Sequence, residues 1–329
     1  MYLVFCSCEA NALPKFKINT DSLTALLGKE ITKEVFFSAA QALYNADSNN
    51  KQYVLFLAQA YAQSGDKEVS ELYLYKSLLK DSLFLPALAF KAAALLDSEQ
   101  LYEANQLIEK IFLYYPEAGT SFLLKAKYYY AIGKWDEAKN FSLQALAVDE
   151  NLCGARILNA MTLMKMDEYK SAVTQFQKCV SEIKKNSFQL NNYGVCLLKS
   201  EQFSEAATVF KSALMIDNTQ PVFYYNLGLT NMNLGEYNDA LSALTKVKSI
   251  ADTLSEIDLL MAKCYERTYQ FNTALEAYKN YQKRNGKADV SKNIMALKAT
   301  AFIAKNWYYL IASVVLAIII LIMIFRKKN

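Results

Sequence analysis

No group of residues in this 329-residue chain has the types and spacing typical of a catalytic site. Histidine is absent, which removes the usual acid–base group near neutral pH and the commonest metal ligand. Nucleophile arrangements that depend on histidine are excluded for the same reason. The sequence also lacks a glycine-rich phosphate loop, a G-x-S-x-G motif and a metal-ligand spacing. We therefore expect no catalytic, cofactor-binding or metal-binding residues and no enzymatic activity.

The cysteines are scattered along the chain rather than paired in a motif. They are Cys6, Cys8, Cys153, Cys179, Cys196 and Cys264. The last four form no C-x-x-C unit, so the sequence indicates neither a zinc site nor a disulfide framework. We expect those four to be ordinary buried thiols.

The charge of the chain is nearly balanced over most of its length. The net charge is +4, from 36 basic and 32 acidic residues. Three of the basic residues, Arg326, Lys327 and Lys328, lie within the last four positions, so the remainder is close to neutral. A nucleic-acid-binding protein needs a basic face to displace counterions from phosphates. We therefore predict no nucleic-acid partner.

The elements that position the remaining side chains are predicted to be helices, because 9 Gly and 4 Pro are too few for the turns of a many-stranded β protein. The sequence repeats itself at a spacing of 34, most clearly in the copy that begins at Pro221. Steps of 34 from Gly228 meet only small residues: Ala58, Ala92, Ala126, Ala160, Gly194 and Ala262. The same steps from Ala240 meet Ser70, Ala104, Ala138, Ala172, Ala206 and Ala274.

These two small-residue columns have a steric explanation. Antiparallel helices joined by a tight turn pack with axes about 8–10 Å apart, which leaves no room for a branched side chain at the closest points. One such unit cannot bury its own apolar face, so neighbouring units must stack. We predict seven helix–turn–helix repeats, over residues 51–84, 85–118, 119–152, 153–186, 187–220, 221–254 and 255–288.

The pattern resembles the tetratricopeptide-repeat (TPR) family over residues 51–288. Small residues occupy the eighth and twentieth positions of each copy, a bulky residue stands at the seventeenth in every copy except the first, which has Lys67, and Pro116 occupies the thirty-second. The family's tryptophan at position four is missing, and its proline occurs only at Pro116. The resemblance implies an all-α, right-handed superhelical solenoid with a concave groove that binds proteins.

Both ends of the array are predicted to carry capping segments, since a terminal repeat otherwise exposes its apolar face. Residues 13–50 form the predicted N-terminal cap, with an amphipathic helix over 31–46. Residues 289–306 form a predicted capping or juxtamembrane helix. One face of that helix carries Val290, Ile294, Leu297 and Ala301.

The segment 307–325 has 19 consecutive uncharged residues. As a helix it would be about 29 Å long, which matches a hydrocarbon core about 30 Å thick. Trp307, Tyr308 and Tyr309 stand at one end, and a basic tail, 326–329, follows the other. We predict a C-terminal transmembrane helix with an interfacial aromatic belt.

The orientation in the membrane depends on residues 1–12, which contain a short apolar stretch followed by the A-x-A pattern Ala10-Asn11-Ala12. One interpretation is the remnant of a signal peptide. The repeats would then lie outside the cytoplasm of a bacterial inner membrane, with the basic C-terminus inside. Other interpretations are a lipid-acceptor cysteine or an ordinary apolar N-terminus. Without a signal peptide, the chain is tail-anchored with its repeats in the cytosol, which unpaired cysteines favour.

The resemblance places the ligand groove on the first helix of each pair, at the second, fifth, sixth, ninth, twelfth and thirteenth positions of the repeat. The residues predicted on that basis to bind a partner are Lys127, Tyr130, Met161, Asn191, Asn192, Tyr225, Asn226 and Leu229. Asn192 and Asn226 share the sixth position of adjacent repeats, where an amide can both donate to and accept from a peptide backbone. The alternatives are a local structural role for the asparagines and a core position for Met161. The two-carboxylate clamp of chaperone-binding family members is missing, since the first repeat offers Leu55 and Gln59.

The sequence thus predicts a membrane-anchored interaction scaffold that binds a peptide or helix of a membrane-associated protein in the groove. One alternative is a tail-anchored receptor or adaptor that faces the cytosol. A second is a structural repeat protein that assembles with itself.

Overall fold

The computed structural model describes residues 32–251, 255–285 and 289–326, and every structural statement below refers to these. All regular elements in them are α-helices, so the all-α prediction is confirmed. The predicted signal remnant, residues 1–12, lies outside the described residues, as does the first part of the predicted cap, 13–31. The chain divides between Gly133 and Lys134 into two compact units, which are described separately.

The first unit contains six described helices, each packed on its neighbours in sequence. They are α1 (Lys33–Ala46), α2 (Lys51–Ser64), α3 (Lys67–Lys80), α4 (Leu85–Asp97), α5 (Leu101–Tyr114) and α6 (Gly119–Ala131). The predicted capping helix corresponds to α1, which buries Phe36, Ala40 and Leu43 against α2. Its first turn is capped by the Thr32 side chain, and Asn50 caps α2 in the same way.

The second unit contains the remaining described helices. They are α7 (Trp135–Val148), α8 (Cys153–Lys165), α9 (Tyr169–Gln177), α10 (Val180–Ile183), α11 (Ser187–Lys199), α12 (Phe203–Ile216), α13 (Pro221–Leu234), α14 (Tyr237–Ile250), α15 (Ser255–Arg267), α16 (Phe271–Arg284) and α17 (Ser291–Arg326). Its largest core surrounds the fully buried Phe176 and Phe210 rings.

The helix starts follow the period of the sequence. First helices begin at residues 51, 85, 119, 153, 187, 221 and 255, and second helices at 67, 101, 135, 169, 203, 237 and 271. Both series advance by 34 residues at every step. Within each unit a second helix packs on the first helix of the next pair, as in α12 on α13 and α14 on α15. This arrangement is a helical-repeat solenoid.

Where both helices of a pair belong to one unit, the small-residue columns lie where these two helices meet. All members of both columns are buried. Ser70 Oγ donates to the carbonyl oxygen of Ala58 at 2.8 Å, so the two columns touch in the first repeat. A Cβ added to Gly194 would lie 2.6 Å from the Phe210 ring, closer than non-bonded carbon atoms can approach. The geometry therefore agrees with the steric reason for small residues.

The turn between the two helices of each pair contains one residue in the left-handed region. Three of these residues are glycines, Gly65, Gly133 and Gly235, with φ of 90°, 76° and 80°. The other four are Glu99, Asp167, Glu201 and Tyr269, with φ of 58°, 60°, 64° and 60°. Left-handed backbone costs a non-glycine residue about 1–2 kcal/mol. The turn thus keeps its conformation even where the residue type opposes it.

The prediction of four ordinary thiols is wrong for two of the cysteines. Cys153 opens α8, Cys179 lies at the interruption between α9 and α10, and a disulfide joins them with their Cα atoms 5.7 Å apart. They are 26 residues apart in sequence, so only the fold brings them together and no spacing motif reveals them. Cys196 and Cys264 are buried thiols as predicted. Burial raises the pKa of Cys196 to about 12 and that of Cys264 to about 11.

The last helix, α17, has two parts. Val290, just before it, and Leu297 are buried against Tyr278 and Tyr281 of α16, so the predicted capping face covers the last repeat. Among the described residues, no single straight helix is both long and apolar enough to cross a membrane, whereas Ser291–Ile303 and Lys305–Ile320, which meet at a 48° bend, satisfy both criteria together. The predicted span over 307–325 stays a prediction.

Candidate partner-binding groove

Two of the predicted asparagines form a pair between adjacent repeats of the second unit. Asn226 of α13 donates from Nδ2 to Oδ1 of Asn191 on α11, at 2.8 Å. Their exposed fractions are only 9% and 8%. Asn192 shares the repeat position of Asn226 but is half-buried, whereas Asn226 is buried. The partner of Asn226 is Asn191, which is one residue before Asn192 and therefore turned from it by about 100° around α11.

The asparagine pair keeps some hydrogen-bonding capacity. Within the described part of the chain, the Asn191 amide NH₂ and the Asn226 amide oxygen have no hydrogen-bond partner. One group can donate and the other can accept, which is what the C=O and N–H of an extended peptide require. The pair is therefore suited to hold a segment of main chain.

A first cleft, of about 330 Å³, lies between the starts of α13 and α15. Tyr225 and Val222 line one side, and Glu256 and Ile257 line the other. Burial, followed by the nearby Glu256 carboxylate, raises the pKa of Tyr225. A phenol is protonated at neutral pH even without this shift, so Tyr225 can donate a hydrogen bond.

A second cleft, of about 460 Å³, lies at the other ends of the same helices. It is lined by Leu229, Met232, Asn233, Tyr237, Lys263, Glu266, Arg267, Tyr278 and Asn293. The Glu266 carboxylate already has a partner within the protein, because it accepts a hydrogen bond of 2.7 Å from the Tyr278 hydroxyl. Burial first, and then Glu266, raise the pKa of Tyr278 far above its usual value.

The two cations of the second cleft are available to a ligand. Neither Lys263 nor Arg267 has an ion-pair partner among the described residues, and the Arg267 guanidinium lies 6.0 Å from the centre of the Tyr237 ring. Guanidinium and ammonium groups bind carboxylates through charge-assisted hydrogen bonds. The apolar Leu229 and Met232 side chains lie beside them. The cleft therefore suits an acidic side chain next to an apolar one.

The sequence prediction missed these cations, although a signal for them existed. Lys263, Glu266 and Arg267 occupy positions nine, twelve and thirteen of the last repeat, the same positions that mark groove residues in earlier repeats. Extending the position rule by one period would have found them. Asn293 lies beyond the repeats, and no period could have indicated it.

The other predicted residues have varied surroundings. Tyr225 and Leu229 line the first and second clefts. Met161 is half-buried and packs against the main core of the second unit, as its structural alternative proposed. Lys127 is exposed and Tyr130 is half-buried on α6 of the first unit, and burial raises the pKa of Tyr130. The structure thus groups four of the eight residues with the two clefts and the asparagine pair.

Comparison with known proteins agrees with this architecture. The tetratricopeptide-repeat family model matches residues 197–264. Anaphase-promoting complex subunit 6 of Arabidopsis thaliana is 22% identical over 252 residues, which are 77% of this chain and 45% of that protein. The chain thus spans less than half the length of this relative.

Solved structures share the fold at low identity. The anaphase-promoting complex assembly of Cut9 and Hcn1 matches with a TM-score of 0.56 and 15% identity, over 84% of this chain and 57% of that chain. YrrB, described as a TPR protein with an unusual peptide-binding site, matches with a TM-score of 0.53 and 19% identity, over 58% of this chain and 97% of that one. Together with the repeat geometry, these matches show that the described residues have an all-helical solenoid fold similar to that of tetratricopeptide-repeat proteins.

Proposed function

We propose that this chain is a membrane-anchored interaction scaffold whose second unit binds an acidic peptide segment of a membrane-associated protein. The observation that carries the proposal is the second cleft, where Lys263 and Arg267, which form no ion pair with any described residue, lie beside Leu229 and Met232. The Asn191–Asn226 pair adds one donor and one acceptor for the peptide backbone. The proposal includes no catalytic step.

The peptide-binding part is tested by screening the full chain, in detergent, against a displayed library of random peptides. We expect the selected peptides to contain Asp or Glu next to an apolar residue. Replacing Lys263→Ala and Arg267→Ala together should weaken their binding about tenfold or more, since buried charge pairs across an interface contribute over about 1.4 kcal/mol.

The matched control is Lys211→Ala with Lys246→Ala, which removes the same charge from exposed positions on α12 and α14, outside both clefts. This control should bind the selected peptides as the unaltered chain does. Equal affinity in both double variants, or selected peptides without acidic residues, would contradict the assignment.

Support for the membrane anchor comes from the second part of α17. Its apolar side chains, including Trp307, Val314 and Leu316, are exposed rather than packed on the repeats. A large exposed apolar surface is typical of contact with a membrane or a partner. We therefore interpret residues 307–325 as the anchor, and we expect the full chain to resist alkaline extraction from membranes. A chain that ends at residue 306 should be released.

The repeats are proposed to lie outside the cytoplasm, with the basic tail inside. The Cys153–Cys179 disulfide supports this orientation, because disulfides persist in oxidising compartments and are rare in the cytosol. Among the described residues, the free thiols Cys196 and Cys264 are buried and are therefore poor probes. We propose instead a Met215→Cys variant, whose position is 87% exposed. Labelling of intact cells by a membrane-impermeant maleimide is expected, and labelling only after permeabilisation would indicate the tail-anchored alternative.

Self-association is a second candidate function, favoured by one observation. Leu72, Tyr75 and Leu79 are exposed on one side of α3 in the first unit. Such a surface could bind a second copy of the chain. A particle size that increases with protein concentration would favour this alternative.

A further inference from the structure

A third cleft lies between the last repeat and α17, on a side of the repeat that the groove does not use. Its volume is about 630 Å³. The turn and the first residues of α16 supply Tyr269, Phe271 and Leu275, and α17 supplies Lys298, Phe302 and Lys305. None of the groove residues described above lines it.

The charge in this cleft has a single sign. Lys298 and Lys305 lie on either side of the bend in α17, and both line the cleft. Neither lysine has an ion pair or hydrogen bond within the described part of the chain, and no aspartate or glutamate lines the cleft. Two unpaired ammonium groups on one wall attract an anion.

The rest of the cleft is aromatic and poorly covered. Tyr269 is 80% exposed and Phe302 is 64% exposed, and the Tyr269 ring meets the Phe271 ring edge to face with centroids 6.1 Å apart. Exposed aromatic rings next to lysines are common at the level of lipid headgroups, where one part of the environment is apolar and the other is wet.

The position along the chain places the cleft beside the proposed anchor. Lys305 is two residues before Trp307, about 3 Å along a helix axis. Lys298 is nine residues before Trp307, about 14 Å along a straight helix. If the apolar segment is parallel to the membrane normal, the 48° bend of α17 shortens the distance from Lys298 to Trp307 along that normal to about 10 Å. A lysine side chain can extend toward the interface over the remaining distance.

We propose that this cleft binds the phosphate of an anionic phospholipid headgroup. The inference rests on the proposed membrane anchor and adds a specific lipid to it. Lys298 and Lys305 hold the phosphate, and the aromatic side chains contact the glycerol and the upper acyl chain. A lipid held there ties the last repeat to the membrane surface and restricts how the repeats stand on the membrane.

The test uses the fluorescence of Trp307 in the full chain reconstituted into phosphatidylcholine vesicles. A Trp135→Phe substitution makes Trp307 the only tryptophan. Brominated phosphatidylglycerol or brominated phosphatidylcholine is then added at equal mole fraction as a quencher. We expect phosphatidylglycerol to associate more strongly, by roughly fivefold for each lysine.

Replacing Lys298→Gln and Lys305→Gln together should bring the ratio of the two lipids close to one. Lys298→Arg with Lys305→Arg should retain the preference, because the charge is kept. The matched control, Lys283→Gln with Lys292→Gln, removes two exposed lysines of α16 and α17 that do not line the cleft, and should behave as the unaltered chain.

The outcomes separate this inference from the proposed anchor. An equal loss of preference in the two glutamine variants, or no preference in the unaltered chain, would overturn the lipid site and leave the anchor in place. Loss of the preference when excess inorganic phosphate is added would assign the cleft to a free phosphate instead. If neither lipid quenches Trp307, the anchor is wrong, and the lipid site fails with it.

Discussion

The small-residue columns and the left-handed turns both recur every 34 residues, but the residue type is restricted in the columns and variable in the turns. Every position of both columns is alanine, glycine or serine. Among the seven turns described, only three have glycine where φ is positive. The backbone conformation thus repeats in both the columns and the turns, but only the columns keep one class of residue.

The energetic reason lies in how each penalty grows. In a column, a larger side chain meets the facing helix, and every added atom increases the overlap, as the 2.6 Å distance from a Cβ at Gly194 to the Phe210 ring indicates. In a turn, a Cβ at Gly235 would have no atom within 4 Å, so the only penalty is the local backbone energy of about 1–2 kcal/mol. Because the backbone penalty in a turn is the same for any side chain, the residue type there can vary. The steric penalty in a column increases with side-chain size, so only small residues are found there.

The largest effect predicted by this comparison is that of Ala206→Leu. Ala206 is fully buried between α11 and α12, and we expect the leucine to lower the free energy of unfolding by up to about 3 kcal/mol. Denaturant unfolding of the full chain in detergent, followed by circular dichroism, measures the change. Thr208→Leu places the same side chain at an exposed position two residues later and should change stability by less than about 0.5 kcal/mol. Similar losses in the two variants would remove the steric explanation.

A second prediction concerns a polar contact between the same two helices. Tyr193 precedes Gly194, and its hydroxyl donates to Glu205 Oε1 at 2.8 Å. Burial first, and then Glu205, raise the pKa of Tyr193 to about 12. Because the unfolded tyrosine has a pKa near 10, this group contributes its stabilisation fully below about pH 10 and loses it as the pH rises through 12.

We therefore expect the free energy of unfolding to fall by about 2 kcal/mol between pH 9 and pH 12 on account of Tyr193. Other buried tyrosines add to the fall, so the measurement is the difference between the unaltered chain and Tyr193→Phe. The phenylalanine variant should lose less stability over this interval. Parallel pH profiles for the two proteins would show that Tyr193 does not titrate with folding.

How much the sequence could predict follows from the same reasoning. The helix pairs and the buried columns were predictable, because steric overlap allows only small residues in the columns from Ala58 to Ala262 and from Ser70 to Ala274. The left-handed turns were not, because Glu99 and Tyr269 give no sign of the conformation they adopt. Contacts such as Cys153–Cys179 and Asn191–Asn226 depend on packing between elements and match no short spacing. Part of the second cleft was predictable, since Leu229 occupies a groove position of the repeat, whereas Asn293 lies beyond the repeats.

The smallest predicted effects concern the turns themselves and have opposite signs. Glu201 and Gly235 occupy the same turn position in consecutive repeats, with φ of 64° and 80°. Glu201→Gly should raise the free energy of unfolding by about 0.5–1 kcal/mol, because it relieves the left-handed strain and recovers more than the added flexibility of the unfolded chain costs. Gly235→Ala should lower the free energy of unfolding by about 1 kcal/mol, because alanine introduces the left-handed strain that glycine avoids. If the turns tolerate any residue because their penalty is small and bounded, both changes will stay below the loss in Ala206→Leu. A Gly235→Ala loss as large as that one would mean that the turns are as restrictive as the columns, and the scarcity of glycine in them would need another explanation.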